Sequence, residues 1–380
     1  MIKVLFVFGT RPEAIKMAPV VIEFKKNSNI DVKVCVTGQH REMLDQVLEF
    51  FEIVPDYDLN VMKSQQSLTE ITCSILTNLD KILNDLNPQH VFVHGDTTTT
   101  FAASLAAFYK NIKIWHIEAG LRTWNILSPF PEEGNRQLTG KLAFFHAAPT
   151  LKAKDNLILE NVNPERIITT GNTVIDALLI GIDKIKSNGS EIKEISDLKK
   201  TVDLTKKIIL VTLHRRENQG ELLESICSDI RRLAQEEEGI EVVFPVHMSP
   251  RIRAVVTKKL SQVANIKLIE PLSYPGFIWL MSVSYFILSD SGGVQEEAPS
   301  LKKPVLVARD TTERPEVIEN GAALLVDPRI PGNIYSKCKD LISMDDTYYS
   351  MSNAGNPFGD GLASKKILEH FMLNCIPINI

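Results

Sequence analysis

The stretch KVLFVFGTRPEAIK, residues 3–16, decides how the chain is read. KVLFVF is almost continuously apolar, and a strand of that kind is buried on both faces, as in a parallel sheet covered by helices on each side. Gly9 ends the run. Thr10 and Glu13 then stand at the spacing of a capping box, and Pro12 falls in the first turn of a helix, where its missing N–H costs little. Strand, polar turn and helix start follow within fourteen residues. Capping explains Thr10, Pro12 and Glu13. It does not explain Arg11 and Lys16, two cations at the positive end of a helix dipole, which suit a bound anion.

The same unit recurs. VKVCV (32–36), HVFVH (90–94), IKIWHI (112–117), KIILVTL (207–213), VVFPV (242–246), YFILS (285–289) and PVLVA (304–308) read as strands. Segments 68–86, 98–109, 221–237 and 331–343 carry helical periodicity between them. The series runs twice, and 380 residues exceed what one hydrophobic core normally serves. The expected class is α/β, with two doubly wound Rossmann-like domains whose parallel sheets face a cleft. Residues 1–171 form the first domain, 172–360 the second, and 361–380 a C-terminal helix. TGNTVID (170–176) reads as the crossing, and the polar KSNGSEIKEISDLKK (186–200) as a surface excursion.

Composition narrows the function classes. Apolar content of 44% and charged content of 23% are those of a globular protein. A net charge of −5 leaves no electrostatic footprint for nucleic acid or an anionic membrane. The five cysteines contain no CxxC pair and read as free, buried thiols in a reducing compartment. MIKVLFVFGTRPE fits a first strand better than a signal peptide, and no stretch reaches the ~18–20 apolar residues of a membrane span. A cytoplasmic protein is expected.

Ligands of open parallel sheets bind at the carboxyl ends of the strands. Six expected strands run there into GTRPEAIK, GDTTTT, EAGLRT, HRREN, HMSPR and DSGGVQEE. Asp96, after Gly95, is a candidate acid or the N-cap of the next helix. Glu118, at the end of an apolar strand, is expected to have a raised pKa suited to proton transfer. Glu132, Glu133 and Arg136 sit at a helix start, which suits both glutamates electrostatically. His214 with Arg215 and Arg216 suits phosphate oxygens. Asp290, Ser291, Gly292 and Gly293 look like the mouth of an anion site. His40, His90, His94, His116, His146 and His370 lack metal-ligand spacing, and no metal is expected. GxGxxG after the first strand, GxxxxGK[ST], GxSxG and HExxH are all absent.

FGTRPEAIKMAPV (8–20), HGDTTTTFAASLAAF (94–108), HIEAGLRT (116–123), PEEGNR (131–136), HRREN (214–218), SDSGGVQEEAPS (289–300) and RDTTERPE (309–316) stand in that order. Together they resemble the non-hydrolysing UDP-N-acetylglucosamine 2-epimerases of bacteria and archaea. The resemblance covers nearly the whole chain. It implies the GT-B architecture, a homodimer, no cofactor, and a last helix, GLASKKILEHFML (361–373), packed back on the N-terminal domain. The implied partners are UDP-GlcNAc and UDP-ManNAc.

Site roles follow by motif. Asp96, Glu118, Glu132 and Lys16 match the family's candidate catalytic groups. Arg11, Arg136 and His214 match diphosphate contacts, and Arg314 a family arginine near the sugar or phosphate. Ser291, Gly292 and Gly293 offer the diphosphate N–H groups, a hydroxyl and a helix dipole. Glu297 lies about 6–8 Å farther along the helix, at 1.5 Å per residue, where a carboxylate can accept both ribose hydroxyls. Glu296 receives no role. Phe277 is read either as flanking the uracil or as a core aromatic. Gln39, His40 and Gln66 align with a second nucleotide-sugar site that activates some bacterial members, whereas Glu42 and Gln65 depart from that pattern.

The implied chemistry is elimination and re-addition of UDP through 2-acetamidoglucal, serving surface polysaccharide. Which carboxylate acts on which face of C2 is open at this stage. A hydrolysing epimerase, a GT-B glycosyltransferase and a non-catalytic nucleotide-sugar sensor are the alternative readings.

Overall fold

The computed structural model describes residues 1–38, 41–62, 66–189 and 191–375. The chain divides into two compact units, Met1–Ile180 with Phe358–Ile380, and Gly181–Pro357.

The first unit holds strands β1 (Ile2–Phe8), β2 (Ile30–Val36), β3 (Tyr57–Asp58), β4 (His90–His94), β5 (Lys113–Ile117), β6 (Phe145–Ala148) and β7 (Ile167–Thr169). Their order is β3-β2-β1-β4-β5-β6-β7. Every pairing is parallel, as continuous apolar strands require. Phe6, Phe24, Phe92 and Trp115 fill one face of the sheet, with Phe6 and Phe92 stacked at 4.6 Å. The helix Ala363–Cys375 closes that cluster, its Phe371 lying 5.2 Å from Phe24 and 5.5 Å from Trp115. Buried Asp176 caps this helix, accepting from Ser364 N at 2.7 Å and Ala363 N at 3.2 Å.

The second unit holds β8 (Lys207–Thr212), β9 (Ile240–Pro245), β10 (Ile266–Ile269), β11 (Phe286–Ser289), β12 (Val305–Val307) and β13 (Ala323–Leu325). Their order is β10-β9-β8-β11-β12-β13, again all parallel. Its core joins Phe244, Phe286 and Leu288 from the sheet to Ile226, Ile230 and Leu233 from the helix Glu221–Glu236.

The α/β reading of two doubly wound parallel sheets therefore holds. Two local expectations do not. Most of the second half of the polar stretch 186–200 lies in the helix Lys193–Thr201, which buries Ile195 and Leu198 at the (i, i+3) spacing of one helix face. Cys73 is exposed, because it lies on the outer face of the helix Leu68–Leu86, opposite Ile71 and Ile75. Strands β3, β6, β7, β10 and β13, each of two to four residues, are also present.

Candidate active site

In the first sheet the strand order reverses between β1 and β4. This is the switch point at which open α/β sheets bind ligands. Buried Glu13 ties the two strand ends together. Its Oε2 accepts from Gly9 N at 3.0 Å and Thr10 N at 2.8 Å, completing the capping box. Its Oε1 accepts from Thr97 Oγ1 at 2.7 Å and Thr100 Oγ1 at 3.1 Å. Thr97, not Asp96, is the N-cap of the helix Thr98–Tyr109. Asp96 is thus released from capping, and its Oδ2 accepts from Arg136 Nε at 3.1 Å and from Arg136 Nη2.

Glu118 lies one residue beyond β5, in a left-handed conformation with φ +59. That conformation is unfavourable for a residue with a Cβ, and such outliers cluster at functional sites. Lys16 Nζ donates to both carboxylate oxygens, at 2.7 and 2.8 Å. His94 Nε2 lies 2.8 Å from Oε2, off the ring N–H axis. Asn172 Nδ2 donates to Oε1 at 3.4 Å. Burial pushes the Glu118 pKa up, but the Lys16 charge, with the neighbouring His94, outweighs it and holds the carboxyl well below its ordinary value. The expected raised pKa is therefore corrected. Burial was foreseen, and Lys16 was expected among the catalytic groups as an electrostatic partner; its direct pairing with Glu118, strong enough to outweigh burial, and the histidine from β4 were not.

The adjacent glutamates of PEEGNR separate into two environments. Glu133 is fully buried and holds the preceding loop, accepting from Thr123 N at 3.0 Å and Trp124 N at 3.2 Å. Arg136 Nη1 and Gln137 Nε2 donate to it at 3.2 and 2.8 Å. Burial raises its pKa, and these donors more than offset that, leaving it lowered. Glu132 is different: its Oε2 is buried with no hydrogen-bond partner among the described residues. After Glu118 the chain turns at Gly120, where φ is +92 and an added Cβ would meet the Ala153 carbonyl oxygen at 2.1 Å.

The second sheet reverses between β8 and β11. Asp290, fully buried, follows β11. It accepts from the backbone N–H of His214 at 3.1 Å and of Arg215 at 2.9 Å, and from Asn218 Nδ2 at 3.0 Å. His214 Nδ1 lies 3.0 Å from Oδ1. Burial raises the Asp290 pKa, while His214 and these donors outweigh it and leave it lowered. Asp290 therefore positions the His214 turn and is not itself the mouth of an anion site, because an ionised carboxylate repels phosphate.

Ser291 is the N-cap of the short helix Gly292–Glu297, and its side chain makes no capping bond. Arg314 lies over Gly292, where an added Cβ would meet Arg314 Cζ at 3.2 Å. Glu296, given no role by sequence, holds that arginine: Arg314 Nε and Nη2 lie 2.9 and 2.8 Å from Oε1. Glu297 is buried, and Tyr274 OH donates to its Oε1 at 3.4 Å. From Tyr274 to Met281 every residue is buried except Phe277, which is part-buried. Arg11 is part-exposed at the start of its helix. Gln39 and His40 lie outside the described residues, while Gln66 is part-buried just before the capping box of Ser67 and Glu70. A shallow groove of about 500 Å³ beside Lys193, Leu198, Ile269 and Glu270 contains none of these candidates.

Residues 22–372 match the family described as UDP-N-acetylglucosamine 2-epimerase. The chain belongs to this family. It is 76% identical over 372 residues to the UDP-N-acetylglucosamine 2-epimerase of Salmonella borreze, with 98% of each chain covered. The UDP-GlcNAc 2-epimerase of Neisseria meningitidis, solved bound to UDP-GlcNAc, matches at 52% identity with a TM-score of 0.88, covering 98% of this chain and 100% of that one. The UDP-GlcNAc 2-epimerase of Methanocaldococcus jannaschii, solved with UDP-GlcNAc and UDP, matches at 32% identity and TM-score 0.79, with 98% and 100% covered.

In this member of the epimerase family, sequence reasoning passed over His94, Glu296 and Asn172. A signal for His94 existed. In the β4–β5 register His94 faces Ile117, so the end of β4 lies beside Glu118. Glu296 and Asn172 had no such signal, because their partners lie 18 and 54 residues away on other elements.

Proposed function

We propose that the protein interconverts UDP-GlcNAc and UDP-ManNAc without releasing free sugar. The C2 proton is not next to a carbonyl and is not acidic, so C1 must act as the electron sink. The C1–O bond breaks and its electron pair leaves with UDP. The C2–H pair becomes the C1–C2 π bond of 2-acetamidoglucal, and the proton passes to a carboxylate. UDP then adds back to C1, with a proton delivered to the opposite face of C2.

The observation that carries this reading is the set of carboxylates in the first unit. Glu118 is ionised against Lys16, Glu132 has a buried oxygen without a hydrogen-bond partner among the described residues, and Asp96 is paired with Arg136. Proton exchange on two faces needs more than one such group. We assign Asp96, Glu118 and Glu132 to that exchange, and Lys16 to its electrostatics. Arg11, Arg136, His214 and Arg314 are assigned to the diphosphate, which develops charge as it leaves. Ser291, Gly292 and Gly293 supply N–H groups to it, Glu297 accepts the ribose hydroxyls, and Phe277 flanks the uracil. A sensor has no need of the three carboxylates.

The test is the proton NMR spectrum of the protein with UDP-GlcNAc in D2O. UDP-ManNAc forming to a partial equilibrium, with deuterium entering C2 of both sugars, is the expected result. Irreversible release of free ManNAc and UDP would establish the hydrolysing reaction in its place.

A further inference from the structure

Glu194, in the second unit, has no role so far. It lies in the first turn of the helix Lys193–Thr201, which packs against the helix Tyr274–Val283. Its Oε1 accepts from Ser273 N at 3.0 Å, and its Oε2 accepts from Ser273 Oγ. Ser273 is the N-cap of the helix Tyr274–Val283, where its Oγ accepts from Gly276 N at 3.5 Å. The Glu194 carboxylate thus occupies the positive end of that helix, the place an anion would take. Gly276 makes room for it, because an added Cβ would collide with Glu194 Oε2 and Cδ.

The capping bond to Gly276 N is long, and a helix start held by such a bond alone frays easily. Glu194 supplies the firmer hold, on both the backbone N–H and the hydroxyl of the N-cap. Two residues placed by that first turn bear on the nucleoside. Tyr274 OH donates to Glu297 Oε1 at 3.4 Å. Phe277 is part-buried, although Gly276 and Ile278 on either side of it are buried.

We propose that Glu194 is a positioning residue for the nucleoside of the substrate. It fixes the first turn of the helix Tyr274–Val283, and so sets where Phe277 meets the base and how Tyr274 orients the Glu297 carboxylate toward the ribose hydroxyls. It acts through those residues and not on the reacting sugar, so its loss weakens binding without slowing the chemistry. This inference rests on the roles proposed above for Phe277 and Glu297.

Glu194→Ala removes both acceptors. The open groove that Glu194 lines with Ile269 and Leu272 lets water reach Ser273, so the fold should survive. Glu194→Gln keeps a carbonyl oxygen for Ser273 N and turns its N–H₂ toward Ser273 Oγ, which can accept. The experiment compares both variants with wild type, reading kcat and KM for UDP-GlcNAc, UDP affinity by calorimetry, inhibition by pyrophosphate, and thermal unfolding. Glu194→Ala should raise KM and weaken UDP on the order of tenfold, with kcat and pyrophosphate inhibition little changed. Glu194→Gln should stay close to wild type. Unchanged UDP affinity in Glu194→Ala, a parallel loss for pyrophosphate, a fall in kcat alone, or equal impairment of the two variants would each overturn the proposal. A wild-type protein that binds UDP without epimerising would overturn the function and leave this inference standing; one that does not bind UDP would overturn both. Should Glu194→Ala not fold, Gly276→Ala displaces the carboxylate without removing it. The same loss of UDP with pyrophosphate spared is expected there, and unchanged UDP affinity would overturn the proposal.

Discussion

Lys16 Nζ sits 2.7 and 2.8 Å from the two carboxylate oxygens of Glu118, although 102 residues separate them. The cation that looked misplaced at a helix N-terminus has its anion within the fold. Lys16 and Glu118 side chains are only 14% and 7% exposed, so the pair is weakly screened. Removing one partner of such a pair strands a buried charge.

Lys16→Met should therefore cost about 3–5 kcal/mol at pH 8, measured by thermal or denaturant unfolding. The depressed pKa of Glu118 contributes stability that is present above the unfolded value of about 4.3 and is lost as pH falls through the folded value. In the variant, the cation that offsets burial is gone, and Glu118 takes up its proton at higher pH. The deficit against wild type should shrink as pH is lowered. A deficit that is constant from pH 8 to pH 5 would show that the pair is not ionised.

Glu118→Gln preserves shape and removes the exchangeable proton site. Turnover should fall by about 10³-fold or more, within the range for a general acid or base, while UDP still binds by calorimetry. Turnover near wild type would remove Glu118 from the chemistry.

Asp290→Asn turns one acceptor oxygen into an N–H₂ group facing the N–H groups of His214 and Arg215. The expected loss is about 1–3 kcal/mol at pH 7, the cost of an unsatisfied buried group. Asp290 has a lowered pKa, so its stabilisation is present above the unfolded value of about 3.9 and is lost as pH falls through the folded one. The gap between variant and wild type should close under acid conditions. UDP affinity should fall as well, because the His214 turn loses its anchor; unchanged affinity would separate His214 from the nucleotide.

Glu296→Gln removes the carboxylate that Arg314 meets at 2.8 Å over Gly292, leaving the longer 3.9 Å contact with Glu313. UDP should bind about tenfold more weakly, or roughly 1.4 kcal/mol, with the fold intact. The change should appear in KM more than in kcat. An effect on kcat alone would place Arg314 at the reacting sugar and not at the phosphates.

The strands, the parallel class and the doubling of the unit were legible in the sequence alone, because they depend on local periodicity. KVLFVF, HVFVH and KIILVTL became β1, β4 and β8 with ends shifted by no more than one residue. The candidate positions were legible too, because strand ends are where a parallel sheet exposes polar groups. Tertiary structure decided the electrical state of those groups. Glu118 was read as a carboxyl with a raised pKa and is held ionised, because Lys16 and His94 arrive from two other elements. Glu132 and Glu133 are neighbours in sequence, yet successive helix positions diverge by about 100°, so Glu133 anchors a loop while Glu132 keeps a buried oxygen with no hydrogen-bond partner among the described residues. Asp290 and Glu296, beside a phosphate-like turn, were set by partners more than 15 residues away to orient His214 and Arg314. Periodicity acts over a few residues and can be read along the chain. A pKa depends on burial and charge within a few ångströms in space, which only the folded arrangement of distant segments determines.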